Sequence, residues 1–255
     1  MRASFAGPVV RVLAADPDLA AAIDPRELQA ARQRSLASCV TFERGPWAPP
    51  VEIRSDGPTL LLIDGLLAHR VAVNDRQTVE LLGPGDVLSP GEWAEGFRTI
   101  PMQSEWRAHE AGALAVLDRR WHERLVRWPE IQLALLDRTI ERSRSAVMRL
   151  ALARTPNLPE RLRLLLWHLA RRWGRVEPSG VVLPLRLSQE TLAEFACAQR
   201  ESVSRALGEL MHHDLLAPRP GGKGWILRGN TPTEIEELAA ETAAPEGAHH
   251  AVTGA

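Results

Sequence analysis

The chain has 255 residues, 45% of them hydrophobic, and balances 31 Lys+Arg against 32 Asp+Glu for a formal net charge of −1. That length supplies cores for one large or two ordinary domains, and no global excess of positive charge advertises nucleic acid. The start, MRASFAGPVVRVLAADPDL, lacks the continuous apolar stretch of a signal peptide, and no apolar run approaches the ~20 residues of a membrane span, so a soluble cytoplasmic protein is expected. Cys39 and Cys197 stand far apart with no metal-ligand spacing, and both thiols are expected to be reduced and buried or inert, Cys197 as a small packed core residue.

In chain order, residues 9–37 read as short helices, because Asp16-Pro17 and Asp24-Pro25 each set a capping residue before a proline at a helix start. From Cys39 to about Leu117, runs rich in Val, Ile and Leu alternate with Gly, Pro and Asp turns. That is the texture of an antiparallel sandwich or jelly roll, with Asn74-Asp75 as a tight turn between strands 67–73 and 78–82. Helix resumes over 118–126, and Pro129 begins a long helix reaching about Ala153. Within it Leu133, Leu136, Ile140, Ser143, Val147 and Leu150 step by heptad spacing, which suits a helix buried against its own domain or, with the twofold pairing that a DNA-binding reading needs, a dimerisation seam. Pro156-Asn157-Leu158-Pro159 interrupts the pattern as a hinge, and 162–173 is a further amphipathic helix. Thr231-Pro232 caps a last helix to about Glu241, and 243–255 reads as disordered.

The most informative stretch is 187–227. Ser188 N-caps a short helix carrying Leu192, Phe195 and Ala196, a turn follows at Cys197-Ala198, and a second helix runs from Gln199 to Met211. Val203, Ala206, Leu207 and Leu210 turn inward, which leaves Gln199, Arg200, Glu201, Ser204 and Arg205 as a polar set able to hydrogen-bond base edges in a major groove. Leu215-Leu216, the turn 218–224 and 225–227 make a β-hairpin wing. Residues 154–228 hold 12 Lys+Arg against 7 Asp+Glu, a basic third on an acidic body. The class expected is therefore α+β: an N-terminal β-sandwich or jelly-roll sensor over 1–128, a dimerisation helix over 129–155, a winged helix-turn-helix over 156–241 and a disordered tail over 242–255.

That order of parts resembles the Crp/Fnr superfamily of bacterial transcription regulators over roughly residues 9–228. The most specific element is Gln199-Arg200-Glu201-Ser202-Val203-Ser204-Arg205, which looks like the family's S-R-E-T-V-S-R recognition-helix signature. The resemblance implies a cyclic-nucleotide-binding-like N-terminal domain and a homodimer on double-stranded DNA at an inverted repeat. It also implies that Arg200, Glu201 and Arg205 lie where members read a GTG-type half-site, with RNA polymerase as a further partner open to such a regulator. The chemistry agrees, since arginine offers a fork to guanine O6/N7 and glutamate accepts from the cytosine amino group. Ser188, Gln189 and Lys223 are the phosphate-contact candidates. Cys197 stands where many members have glycine, and the fold accommodates this provided the backbone stays out of the left-handed region.

The sensor half is less legible. The segment from Glu80 to Leu88 resembles the element leading to the family's phosphate cassette, which would place an effector pocket at Gly91, Glu92, Arg98 and Thr99. The spacing between the two pairs is short, Trp93 replaces a small residue and Pro90 removes a backbone donor, so cyclic nucleotide is disfavoured as effector. An iron–sulfur cluster would need about four cysteines, and there are two. Haem needs a single histidine or cysteine and stays open through His69, His109 or Cys39. No metal cluster, G-x-S-x-G, H-E-x-x-H, P-loop or dinucleotide fingerprint marks an enzyme. The competing reading is a ligand-sensing module whose winged helix docks a protein instead of DNA.

Overall fold

The computed structural model describes residues 7–50, 58–74, 76–89, 101–221 and 224–231. It divides into two compact units, Met1–Ala151 and Leu152–Ala255.

In the first unit β1 (Val9–Arg11) leads to α1 (Val12–Ala15), a 3-10 turn (Pro17–Ala20) and α2 (Pro25–Arg34). Asp24 caps α2, accepting from the Arg26 N–H at 2.8 Å, as the Asp-Pro pair predicts. Residues 9–11 are a strand, not the helix start expected, because they pair with β2 (Leu36–Phe42) from Val9–Ser38 to Arg11–Leu36. There follow β3 (Gly45–Trp47), β4 (Thr59–Val73), β5 (Arg76–Leu82), β6 (Val87–Leu88) and β7 (Gln103–Leu117). All seven strands join one antiparallel sheet in the order β1-β2-β7-β4-β5, with β3 added to β7 and β6 to β4. Asn74 turns β4 into β5 with φ of 52°, a left-handed value that asparagine tolerates.

Successive strand residues face opposite sides, and here both sides are buried. Leu60, Leu62, Leu114 and Val116 enter a core with Phe42, Leu82, Leu88 and Trp106. Leu61, Ala115 and Leu117 enter a second core beneath Val12, Leu13, Trp121, Leu125, Ile131 and Leu135. Two-sided burial explains why 60–63 reads as a continuous apolar run. The register of β4 on β7 shifts between Leu62 and Leu67. There Gly112 and Gly65 let the chains touch, since a Cβ on Gly112 would lie 2.0 Å from the Asp64 carbonyl oxygen.

α3 (Arg119–Arg124), capped by Asp118, and the long α4 (Pro129–Leu152) complete the unit. One stripe of α4, through Ile131, Leu135, Arg138, Arg142 and Arg149, packs on the unit's own strands and turns. The other stripe, through Leu133, Leu136, Ile140, Val147 and Leu150, is 41–70% exposed, and Ser143 is exposed beside it.

The second unit begins with α5 (Leu158–Trp173). Asn157 is its N-cap, accepting from the Glu160 N–H at 3.0 Å, and Pro159 sits in the first turn. Half of the expected hinge is thus the start of a helix, four residues earlier than the apolar periodicity suggested, because proline is at home there. β8 (Arg175–Glu177), β9 (Gly180–Leu183), α6 (Gln189–Phe195), α7 (Arg200–His212), β10 (Leu216–Pro218) and β11 (Trp225–Leu227) follow, with a sheet ordered β10-β11-β9-β8. The β8–β9 hairpin is an addition to the sequence reading, and β9 backs the wing by pairing with β11. The helix expected after Thr231 and the tail lie outside the described residues. No described helix is long and apolar enough to cross a membrane.

Candidate nucleic-acid interface

The interface is built on three helices and a hairpin. Ser188 opens α6, its Oγ accepting from the Thr191 N–H at 3.0 Å, so the first helix starts where the cap signal puts it. Leu192, Ala193, Phe195 and Ala196 are buried. The turn that follows is tied by Ala196 N–H to Leu192 O at 2.8 Å and Ala198 N–H to Ala193 O at 2.9 Å.

Cys197 in that turn overturns two expectations. Its φ is 50°, so the backbone does enter the left-handed region, a conformation that disfavours any side chain with a Cβ. Its side chain is exposed and not packed. The cause is the hydrogen-bonded wrap of residues 196–198 onto α6, which closes the tight corner whatever residue stands at its apex. Cys39 is buried, and burial raises its thiol pKa.

α7 starts at Arg200, with Gln199 as an N-cap that makes no side-chain cap bond, so Gln199 precedes the helix instead of beginning it. Val203, Ala206, Leu207 and Leu210 are 0–4% exposed and anchor the inner face. Gln199, Arg200, Glu201, Ser204 and Arg205 are all exposed. Glu201 and Arg205 stand four apart, yet they form no ion pair, and Arg200 has no partner among the described residues. Two guanidiniums and a carboxylate therefore lie uncommitted on one solvent face. An exposed Glu201 in the first turn also suits the positive end of the helix dipole. Ser188 and Gln189 are exposed at the start of α6, and Lys223 lies outside the described residues.

Arg161 of α5 braces this assembly, a role the sequence did not suggest. Its Nε donates to Thr155 O at 2.8 Å and its Nη1 to Ala196 O at 2.9 Å, which joins the chain entering the unit to the helix-turn-helix corner. The wing is closed by Arg219 N–H to Gly224 O at 3.2 Å and by an ion pair of Arg228 with Asp214.

In the N-terminal unit Gly91, Glu92, Arg98 and Thr99 lie outside the described residues. The described part of the same unit holds a charged cluster between α4 and its neighbours. Arg142 forks onto Glu80 of β5 through Nε and Nη2, at 3.0 and 2.8 Å, and its Nη1 donates to Val87 O at 2.9 Å. Arg149 Nη1 donates to Val79 O at 2.8 Å, and its Nη2 lies 3.6 Å from Glu80. Arg138 pairs with Asp16 and donates to Gly85 O at 3.2 Å. Burial pushes the Glu80 carboxyl up, but the Arg142 hydrogen bond and the charges of Arg142, Arg149 and His69 outweigh it and hold the group below its ordinary range. Arginines stepping by four and seven along the helix were the available signal. Of the haem candidates, Cys39 is buried, and His69 stacks on Trp106 at 4.1 Å with its Nε2 2.8 Å from Ser104 Oγ. The described residues contain no cluster of three or more His, Cys, Asp or Glu suited to a metal ion.

A capped short helix, a tight corner, a helix with a bare polar face and a two-stranded wing together define a winged helix-turn-helix protein. Residues 160–229 match the Crp-like helix-turn-helix domain, and that is what this region is. No curated protein matches the chain in sequence. Among solved structures, a cyclic nucleotide-binding domain containing protein from Listeria monocytogenes EGD-e aligns with TM-score 0.59 and 18% identity, covering 74% of this chain and 88% of its own. A CooA mutant from Carboxydothermus hydrogenoformans aligns with TM-score 0.58 and 17% identity, covering 80% and 88%. A transcriptional regulator of the CRP family from Thermus thermophilus aligns with TM-score 0.51 and 19% identity, covering 82% and 100%. The resemblance to the Crp/Fnr superfamily is borne out at the level of fold: the chain has that fold, with a Crp-like helix-turn-helix domain over residues 160–229.

Proposed function

We propose that this protein is a sequence-specific transcription regulator that binds an inverted-repeat operator as a homodimer. The observation that carries the reading is the exposed, uncommitted polar face of α7 over a fully buried apolar face, set in a Crp-like helix-turn-helix. In this reading α7 enters the major groove. Arg200 and Arg205 address guanine O6/N7, Glu201 accepts from cytosine N4, and Gln199 and Ser204 contact neighbouring base edges. Ser188, Gln189 and Lys223 hold phosphates and set the register.

The exposed heptad stripe of α4 supports the twofold pairing. Five large apolar side chains standing in water at seam spacing are what a second copy of the helix would cover. A dimer presents two recognition helices about one DNA turn apart, which is why the operator is expected to be an inverted repeat. The regulatory signal would be received by the N-terminal unit, whose effector pocket is assigned to Gly91, Glu92, Arg98 and Thr99.

The test is selection of bound duplexes from a random pool by the full chain at near-physiological salt, with and without cyclic AMP. An inverted repeat recovered without ligand supports the reading. Recovery only with ligand would reverse the disfavour towards cyclic nucleotide. No enrichment in either condition would point to a missing effector, to be tested next by haem loading, or to a winged helix that docks a protein. On the recovered operator Arg200→Ala should cost ~1–3 kcal/mol per half-site and relax the preference at one base pair. Unchanged base preference in that variant would sink the assigned docking.

A further inference from the structure

Gly208 lies in the middle of α7, and nothing in the folded chain asks for glycine there. It is the one glycine inside a helix among the described residues. Its backbone is not in the left-handed region, and a Cβ built on it would meet no atom within 4 Å. Glycine in a helix interior costs about 1 kcal/mol relative to alanine, because it surrenders more backbone freedom on folding. The position therefore gives up helix stability while leaving open space beside it.

Helix geometry says what that space faces. At about 100° per residue, Gly208 falls about 20° from Glu201 and about 60° from Arg205 around the axis, with His212 on the same side. The buried residues Val203, Ala206 and Leu210 fall about 140–160° away, on the opposite side, and buried Leu207 lies on the flank away from Glu209. Gly208 is thus on the crest of the exposed face, one turn beyond Ser204 and Arg205. Glu209, which would repel a phosphate, falls on the flank.

We propose that Gly208 is the point of closest approach between α7 and one sugar–phosphate strand of the bound duplex, and that the missing side chain lets the helix sit deep enough for Arg200, Glu201 and Arg205 to reach base edges. The inference rests on the DNA-binding reading above. Glycine serves close backbone approach to a ligand in the same way elsewhere, because a Cβ would hold the two surfaces apart. An occupant covering this crest explains a glycine that the isolated fold leaves unexplained.

The experiment compares Gly208→Ala and Gly208→Leu with the unaltered full chain, reading thermal melting and affinity for the operator recovered by selection. The expected result is opposite signs. Gly208→Ala melts higher, yet binds the operator about tenfold more weakly, an apparent cost of about 1.4 kcal/mol, and Gly208→Leu binds more weakly still. Wild-type affinity in both variants overturns the proposal while leaving the DNA-binding reading intact. Lower melting together with weaker binding in Gly208→Ala also overturns it, since the glycine would then serve the fold. Failure of the unaltered chain to bind any duplex removes the DNA-binding reading itself, and this proposal with it.

Discussion

Replacing Glu80 by glutamine removes one negative charge from between two arginines and changes almost nothing else in shape. Glu80, Arg142 and Arg149 keep only 20%, 17% and 17% of their side-chain surface exposed. At an effective dielectric of about 20, a unit charge pair at ~4 Å is worth ~4 kcal/mol before desolvation is subtracted. Breaking one side of a fully buried pair leaves the other charge stranded at about 3–5 kcal/mol. Here a fifth of each group is still wet, and glutamine keeps an oxygen that accepts from Arg142, so a loss of about 2–3 kcal/mol at pH 7 is expected for Glu80→Gln.

The pH dependence carries the sharper test. The folded pKa of Glu80 is depressed, so its contribution is fully present above the unfolded value of about 4.3 and fades as pH falls through the folded value. Glutamine does not titrate. The stability gap between wild type and Glu80→Gln should therefore be constant over about pH 5–8 and close as the carboxylate takes up its proton below about pH 4. Urea unfolding of both full-length proteins across that range measures the gap directly. A gap below about 0.5 kcal/mol at pH 7, or one that does not narrow as the pH falls below about 4, would refute the account of the cluster.

Three further outcomes follow from the same geometry. Ile140→Glu puts a charge into the exposed stripe of α4 without touching the unit's core, so it should give a folded monomer by sedimentation; an unchanged dimer would remove this seam from the assembly. In native protein a thiol reagent should modify exposed Cys197 quickly and buried Cys39 only on unfolding, because burial both shields that thiol and suppresses its thiolate; rapid reaction of both would contradict the packing of β2. Gly112→Ala drives a methyl group into the Asp64 carbonyl, so it should destabilise by about 3 kcal/mol or more in denaturant titration, and a neutral result would mean β4 and β7 do not cross as closely as described.

The helix-turn-helix was legible in the sequence because its determinants are local. A serine cap, apolar residues at helical spacing and a glycine-bounded hairpin each act within one or two turns of chain, and the structure has Ser188 capping, Val203 and Leu207 inward and Leu216 paired with Leu227. Elements fixed by distant partners were harder. Residues 9–11 look like a helix start until Ser38 offers them a ladder, and the short β8 is held by β9, which in turn needs β11. The left-handed turn at Cys197 was read the wrong way, since residue type predicts an easy backbone while the hydrogen bonds of its neighbours impose a costly one. The same limit applies to the charges. Glu80 and Arg142 are 62 residues apart, so no window along the chain contains both, and only folding reveals that the long helix has two working stripes. One stripe spends its arginines on carbonyls and carboxylates of its own unit, and the other carries leucines that find no cover there. A heptad read from sequence identifies the second stripe. Its exposure among the described residues comes from the fold, and the homodimer proposed above would cover it with a second copy of α4.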